Sequence, residues 1–108
     1  MINFSKLPSS SFFGKLLRYF LRILPPGFVI RIFQGEAKGF KWIVGAGNAG
    51  YWLGTYEAAE QEKIVENLDS GDVFYDIGAH CGFFSLIASR ILGVAGKVVA
   101  FEPLPRNI

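Results

Sequence analysis

Residues 71–103 read GDVFYDIGAHCGFFSLIASRILGVAGKVVAFEP, and this stretch decides the predicted fold. Its first segment, Val73–Ile77, is mostly apolar without clean alternation, which is typical of a parallel strand covered on both faces. From Gly82 onward the apolar residues take up helical spacing, and a glycine follows the last of them. A second strand ends at Glu102, because the proline after it has no N–H for a ladder. The stretch therefore predicts a strand, a glycine turn, a helix and a second parallel strand.

The glycine turn between the first strand and the helix is a candidate ligand site. In open α/β sheets, ligands bind beyond the carboxyl ends of the strands, where glycines allow close approach and a helix N-terminus offers free N–H groups. We expect Glu102 beside this turn, with its carboxylate accepting hydrogen bonds from both hydroxyls of a ribose. Asp76 stands two residues before the first glycine, where its charge disfavours a pyrophosphate and favours an ammonium group. The pattern therefore indicates a nucleoside ligand with a cationic end, such as S-adenosylmethionine.

Two motifs carry a resemblance to a known family. Residues 76–82 (DIGAHCG) are similar to the first motif of class I S-adenosylmethionine-dependent methyltransferases, and together with residues 99–103 (VAFEP) they resemble the FkbM family. The likeness runs from about Tyr51 to the end of the chain. It implies a Rossmann-like doubly wound parallel sheet, S-adenosylmethionine as cofactor, and O-methylation of a small-molecule or glycan hydroxyl. The cofactor contacts that it implies are Asp76, Gly78, His80, Gly82 and Glu102.

No residue of the chain is predicted to be the catalytic base. In the implied reaction, a substrate hydroxyl displaces the sulfonium methyl group in line, so the rate depends on alignment and on a base that takes the proton. His80 could be that base, but its position in the turn favours a backbone or cofactor contact. The general class I motif has glycine at this position and FkbM-like sequences usually have Asn. Cys81 is interpreted either as a reactive thiol or, more simply, as a small side chain packed in the turn.

Composition and charge limit the remaining interpretations. Half of the 108 residues are apolar, which indicates a folded chain. A class I sheet resembles a seven-stranded one, so we expect this chain to be the N-terminal part of a longer enzyme, cut after its second strand and inactive alone. The single Cys excludes an internal disulfide and a metal cluster, and it fits the cytoplasm. Residues 1–50 hold seven Lys or Arg and one acid, a net charge of +6, whereas residues 51–108 hold four and eight, a net charge of −4.

We divide the chain into an accessory region, 1–50, and the start of a methyltransferase domain, 51–108. After a polar leader, Met1–Ser10, the accessory region opens with an amphipathic helix over Phe12–Leu24, which is too short and too charged to span a bilayer. This helix either packs on the body of the protein or lies peripherally in a membrane interface. Its candidate N-caps are Ser9, Ser10 and Ser11; its apolar side holds Phe13, Leu17, Phe20 and Leu24; its basic side holds Lys15, Arg18 and Arg22.

A β-hairpin is predicted next. Phe28–Phe33 and Phe40–Val44 read as its two strands, with a turn at residues 34–36. Such an element before the first motif would suit a lid or a wall on the substrate side. An edge hairpin without a ligand role is equally consistent with the sequence.

Residues Gly45–Gly50 (GAGNAG) match the dinucleotide fingerprint G-x-G-x-x-G, which requires a helix to open at the turn. Residues 51–54 (YWLG) make a poor first helical turn, so the match is interpreted as a flexible loop. The next helix is expected after Thr55, with Gly71 as its stop and Ile64, Val65 and Leu68 on its buried face. Two alternative functions remain: an NAD-linked oxidoreductase that uses Gly45–Gly50, and a non-catalytic membrane-associated fragment. No nucleic-acid partner is expected.

Overall fold

The computed structural model describes residues 11–107, which form a mixed α/β arrangement with two small two-stranded sheets. Two short 3₁₀ turns, at Gly93–Ala95 and Pro105–Asn107, follow the last helix and the last strand. The helices and strands in chain order are α1 (Phe12–Ile23), β1 (Val29–Arg31), β2 (Lys41–Ile43), α2 (Ala49–Leu53), α3 (Ala58–Asn67), β3 (Val73–Ile77), α4 (Phe83–Leu92) and β4 (Lys97–Phe101).

The parallel pair β3–β4 is the half of the fold that the glycine-rich stretch predicts. Val73 pairs with Lys97 and Ile77 with Phe101, so both strands end at the same level. Helix α4 connects them and covers one face of the pair with its buried residues Phe83, Ile87, Ala88 and Leu92. The predicted strand–turn–helix–strand unit is therefore confirmed, and the larger doubly wound sheet stays a prediction.

The opposite face of β3–β4 is apolar and exposed. Tyr75 and Ile77 point to this face, as does Phe101, whose ring lies 6.2 Å from that of Tyr75 in a nearly parallel orientation. A parallel sheet is normally covered on both faces. Within residues 11–107, the covering of this pair is therefore one-sided.

The predicted hairpin is confirmed, with shorter strands than the sequence suggested. Strands β1 and β2 are antiparallel, with Val29 opposite Ile43 and Arg31 opposite Lys41. The pairing extends beyond the strands, since Ile32 N–H donates to the Phe40 carbonyl at 2.9 Å. A tight series of turns over residues 33–39 closes the hairpin.

Helix α1 begins and ends as predicted, within one residue. Of its three candidate caps, Ser11 occupies the N-cap position without a side-chain hydrogen bond to the helix; Ser9, Ser10 and the rest of the leader lie outside the described residues. The helix approaches the body of the protein through Gly14, Leu17, Leu21 and Leu24. The packing interpretation is thus confirmed for Leu17 and Leu24 but is wrong for Phe13 and Phe20, which are exposed.

Helix α2 corrects the expectation for the glycine-rich segment Gly45–Gly50. The Asn48 side chain caps this helix by accepting a hydrogen bond from Gly50 N–H at 2.8 Å, and Gly54 ends it in the left-handed conformation. The loop prediction holds for residues 45–48 and is wrong for Ala49 and Gly50. Residue 50, where the two predicted regions meet, lies inside this helix.

Helix α3 differs from its prediction in its buried face. Ile64 and Leu68 are half-buried as expected, but Val65 is exposed. The fully buried residue is Gln61, whose side chain bridges three backbone groups. The helix ends at Asn67, and Leu68 after it is in extended backbone, three residues before the predicted stop at Gly71.

One hydrophobic core joins the hairpin and α2 to α4. Its rings are in contact, and the Trp42 and Tyr51 rings are stacked with centroids 5.4 Å apart. This core fixes the hairpin beside the N-terminal end of α4, next to the glycine turn. Its buried members are Ile32, Ala37, Trp42, Tyr51, Trp52, Leu53, Phe83 and Ile87.

Candidate functional site

The candidate site lies at the carboxyl ends of β3 and β4. Because the two strands end at the same level, the turn after β3 lies beside the residue after β4. The His80 N–H donates to Glu102 Oε2 at 2.7 Å, which fixes the carboxylate against the turn. The structure therefore brings Gly78, His80, Gly82 and Glu102 together, in the arrangement expected from the two motifs.

Four backbone N–H groups of this turn are already used inside the protein. Those of Gly78 and Ala79 both donate to the Phe101 carbonyl, at 2.8 and 3.0 Å, and that of Gly82 donates to the Ala79 carbonyl at 2.7 Å. His80 N–H is held by Glu102. A phosphate group binds where several backbone N–H groups are free to donate. These four groups are therefore not free to bind a phosphate.

Glu102 has less free capacity than the sequence suggested. Its Oε1 accepts from Leu104 N–H at 2.8 Å and from Asn107 Nδ2 at 3.2 Å, while its Oε2 accepts only from His80 in the part of the chain described. Each carboxylate oxygen accepts about two hydrogen bonds. One ribose hydroxyl can therefore bind Oε2 directly, whereas a second hydroxyl must replace Asn107, the longest of the three contacts.

The same contacts keep Glu102 charged. The N–H donor of Leu104, followed by those of His80 and Asn107, holds the pKa of the Glu102 carboxyl below its ordinary value. Hydrogen bonds to a carboxylate favour its ionised form. The site therefore carries a fixed negative charge at neutral pH.

Asp76 lies beneath the turn and not in it. It is only 7 % exposed, and its Oδ2 accepts a hydrogen bond from the Ser85 hydroxyl on α4 at 2.5 Å. Asp76 shares with Phe74 the face of β3 that α4 covers. In this structure Asp76 is thus not positioned for the predicted direct contact with a ligand ammonium group.

His80 and Cys81 form the outer lip of the turn. His80 has a positive φ of 52°, its Nδ1 lies 3.0 Å from Cys81 Sγ, and its ring lies parallel to that of Tyr51 with centroids 6.3 Å apart. Burial raises the pKa of the Cys81 thiol and that of the Tyr51 hydroxyl. Both groups therefore stay protonated near neutral pH, and the packing interpretation of Cys81 is favoured over a reactive thiolate.

The two glycines of the motif keep the space above the turn open. Gly78 and Gly82 have φ values of 79° and 81°, and a Cβ at either position would have no atom within 4 Å. Glycine is favoured there by the left-handed backbone and not by close packing. A ligand can therefore approach the backbone at both positions.

Two hollows meet at this turn. They share Cys81 and Gly82, so one ligand in each would be neighbours across these two residues. The first, of about 370 Å³, is lined by Ala79, His80, Cys81, Gly82, Ala100, Glu102 and Asn107. The second, of about 350 Å³, is mostly apolar and is lined by Lys41, Trp42, Ile43, Ala46, Cys81, Gly82 and Leu86.

The alternative dinucleotide segment has a different environment. It follows β2, a strand of an antiparallel hairpin, whereas the fingerprint follows a parallel strand and opens a long helix. A Cβ on Gly47 would overlap the Tyr51 ring, so this ring covers the backbone that a pyrophosphate would have to approach. These contacts leave Gly45–Gly50 without the features of an NAD site.

Three site residues escaped the sequence analysis. Ser85 and Leu104 are recognised as site residues only from the hydrogen bonds that they donate to Asp76 and Glu102. Asn107 lies in the short 3₁₀ turn after β4, and no pattern marks it. Ser85 could have been identified from the sequence, because it occupies the first turn of α4 on the side of β3.

No family model, curated protein or solved structure matched this chain when it was compared with each of them. Among residues 11–107, no group of three His, Cys, Asp or Glu side chains is arranged to hold a metal ion. The function is therefore argued from the geometry of this chain.

Proposed function

We propose that the turn between β3 and α4 binds S-adenosylmethionine, and that the chain is the cofactor-binding part of a methyltransferase acting on a hydroxyl of a small molecule or glycan. One observation carries this proposal. The Glu102 carboxylate is held against a glycine turn in which the N–H groups of Gly78, Ala79, His80 and Gly82 are already bonded within the protein. Such a site favours a nucleoside over a nucleoside phosphate.

The ribose end of the ligand is matched by Glu102. Oε2 has room for one further hydrogen bond beside His80 N–H. The Asn107 side chain occupies the second position at 3.2 Å, and it can be exchanged for a ribose hydroxyl at little cost, because one hydrogen bond replaces another. Gly78 and Gly82 let the ligand approach the backbone without meeting a side chain.

The charge of the site favours a cationic ligand. Glu102 stays ionised, and the Asp76 side chain, hydrogen-bonded by Ser85, lies under the turn. Four N–H groups of the turn, those of Gly78, Ala79, His80 and Gly82, are bonded within the protein and do not offset this charge for an anion. A sulfonium and an ammonium group therefore fit the field better than a pyrophosphate does.

The protein's part in the reaction is binding and orientation. S-adenosylmethionine supplies an activated methyl group when bound. Glu102 would fix the rotation of the nucleoside through its ribose, and the turn would hold it against the lip formed by His80 and Cys81. The second hollow, which shares Cys81 and Gly82 with the first, would bind the substrate whose hydroxyl group accepts the methyl group. No residue is assigned as the base.

Binding to the turn can be tested by nuclear magnetic resonance, which detects weak affinity. A ¹⁵N-labelled sample is titrated with S-adenosylmethionine or its demethylated product, and separately with NAD⁺. We expect amide shifts at residues 78–82 and at Glu102, Leu104, Arg106 and Asn107. Glu102→Ala should weaken the affinity by roughly ten- to a hundred-fold, since hydrogen bonds to a charged acceptor are lost.

Two variants serve as matched controls. Glu66→Ala removes an exposed acid of α3 and should leave the affinity unchanged. Asn107→Ala frees Oε1 of Glu102 and should leave the affinity unchanged or raise it. Absence of shifts at millimolar ligand, equal affinity in Glu102→Ala, or NAD⁺ shifts confined to residues 45–50 would each contradict the proposal.

A further inference from the structure

Helix α1 presents a broad apolar face away from the rest of the protein. The residues that hold it to the body, Leu17, Leu21 and Leu24, lie on its other side. Six large apolar side chains remain exposed, with exposures from 40 % for Leu16 to 82 % for Phe12. A contiguous apolar face of this kind marks a contact surface. Its members are Phe12, Phe13, Leu16, Tyr19, Phe20 and Ile23.

Three cations border this face. Lys15, Arg18 and Arg22 lie together on the remaining side of α1, and the helix contains no acidic residue. Arg18 Nε donates to the Gly14 carbonyl of its own helix. The ion pair found within residues 11–107 joins Lys63 to Glu60 on α3, so no carboxylate in that part of the chain neutralises these three charges. The helix therefore combines an apolar face with an unneutralised cationic border.

We propose that α1 lies in the plane of an anionic membrane surface, with its apolar face in the acyl boundary and its cations at the lipid headgroups. Amphipathic helices with this composition bind in that way. Lys and Arg extend their charged ends to the headgroups while their stems cover apolar area. Helix α1 has 12 residues, and among residues 11–107 no helix is long and apolar enough to cross a membrane.

Charge favours a membrane over a second copy of the chain as the occupant of this face. An antiparallel two-fold interface through the apolar face would place Lys15, Arg18 and Arg22 near the same three residues of the other copy. Six cations would then meet with no acid from either α1. An anionic lipid surface supplies the opposite charge instead, and each Lys or Arg near it contributes to binding.

The helix is anchored so that membrane contact need not unfold the protein. Leu21 and Leu24 pack on the hydrophobic core, and Leu17 borders a groove with Trp52 and Leu53. These residues leave the apolar face free. Binding therefore requires no exposure of the core.

The test is co-sedimentation of the full chain with vesicles of phosphatidylcholine alone or with about one-third phosphatidylserine. We expect binding to the anionic vesicles that weakens as salt is raised. Lys15→Gln combined with Arg22→Gln should lower the affinity about thirty-fold, given two fewer cations at the surface. The matched control Lys97→Gln, which removes an exposed cation far along the chain, should have no effect.

The apolar face is tested separately. Phe12→Ser combined with Tyr19→Ser should lower the affinity about ten-fold or more, since two large side chains no longer insert. Val94→Ser replaces a fully exposed apolar residue outside α1 and should leave binding unchanged. Because the substituted side chains point away from the core, thermal melts of all variants should match that of the parent chain.

Several outcomes would overturn the inference. They are absence of vesicle binding, equal binding to neutral and anionic vesicles, or equal loss in the Val94→Ser control. A concentration-dependent dimer that Phe12→Ser disrupts, without vesicle binding, would assign the face to a second copy instead. Failure of S-adenosylmethionine binding would leave this inference untouched, because the two surfaces share no residue.

Discussion

The unit formed by β3, α4 and β4 and the segment before it, residues 11–70, are held together by different means. The first rests on elements that are consecutive in the chain, a parallel pair and the helix that joins it. The second also rests on side-chain hydrogen bonds between elements that are not consecutive, such as the bond from Glu36 N–H to Gln61 Oε1. The contrast teaches that local patterns determine the candidate site, whereas the hydrophobic core and buried polar contacts determine how the segment before it is assembled beside it.

The largest expected effect on the free energy of unfolding comes from substituting one of two glycines that have the same backbone angle. Gly54 and Gly78 both have a φ of 79°, but a Cβ at Gly54 would overlap the Gln34 carbonyl, whereas one at Gly78 would meet nothing within 4 Å. Gly54→Ala should therefore lower the free energy of unfolding by roughly 3–4 kcal/mol, the sum of backbone strain and overlap. Gly78→Ala should cost only about 1–2 kcal/mol, which is the strain alone.

Urea denaturation followed by circular dichroism measures both free energies. If Gly54→Ala is too unstable to purify, its folded fraction at low temperature gives a lower limit for the loss. Equal effects of the two substitutions would show that close approach at Gly54 contributes nothing beyond backbone angle.

Gln61 should have the next largest effect. Its amide donates to the Gly54 and Tyr56 carbonyls at 3.2 and 2.6 Å, and its Oε1 accepts from Glu36 N–H at 3.0 Å. Gln61→Leu keeps the volume but leaves these buried backbone groups without partners, so we expect a loss of about 2–3 kcal/mol in the free energy of unfolding. The adjacent exposed Glu62→Leu is the control and should change it by less than about 0.5 kcal/mol.

Hydrogen exchange adds a local measurement to this comparison. In Gln61→Leu, the Glu36 amide should exchange faster, whereas amides of β3 and β4 should exchange faster only in proportion to the global loss. A variant as stable as the parent chain would mean that water or a rearranged backbone satisfies these groups.

The smallest expected effect is the pH dependence of stability. It distinguishes the two regions because Glu102 is charged and Gln61 is not. The pKa of Glu102 is lowered from its ordinary value of 4.5, so the unfolded chain binds more protons than the folded one as the medium is acidified. The stabilisation from this carboxylate is therefore present above pH 4.5 and is lost as the pH falls through the lowered pKa. Gln61 carries no charge, and its contacts should persist.

Amide chemical shifts recorded as the pH is lowered measure this difference. The His80 and Leu104 signals should move together below pH 4.5, while the side-chain amide signal of Gln61, which carries no titratable group, stays constant. In Glu102→Gln the movement should disappear. Parallel titration of all three signals in the parent chain would indicate global acid unfolding and not a local change at the turn.

The sequence predicted the β3–α4–β4 unit well because several local signals agree there. Glycine and proline mark its boundaries, and helical spacing begins directly at Gly82. The hairpin followed from its two apolar runs. Asp76 was harder to interpret, since a carboxylate near the glycines suggests a ligand contact, but counting in twos from Phe74 places it on the face that α4 covers.

The rest of the structure depends on contacts that the local sequence pattern does not reveal. Asn48 as N-cap and Gly54 as a left-handed end do signal a short helix, and the bulky residues between them obscured it. A glutamine in mid-helix usually faces solvent, and nothing near Gln61 indicates that the Gly54 and Tyr56 carbonyls and the Glu36 N–H converge on it. Val65 was expected to be buried because it is apolar, but the helix turns its polar Gln61 inward instead.

Arg90 has a consequence for the order in which the chain assembles. Its guanidinium donates to the Glu36 and Lys38 carbonyls, each at 2.7 Å, and lies 4.2 Å from the centre of the Phe40 ring. Two bonds that span 54 and 52 residues require the closure of a long loop, whose entropy cost grows with length. A single exposed side chain cannot offset that cost. The core must therefore bring α4 and the hairpin together first. Arg90 then forms its hydrogen bonds in a chain that has already collapsed, and it does not nucleate folding.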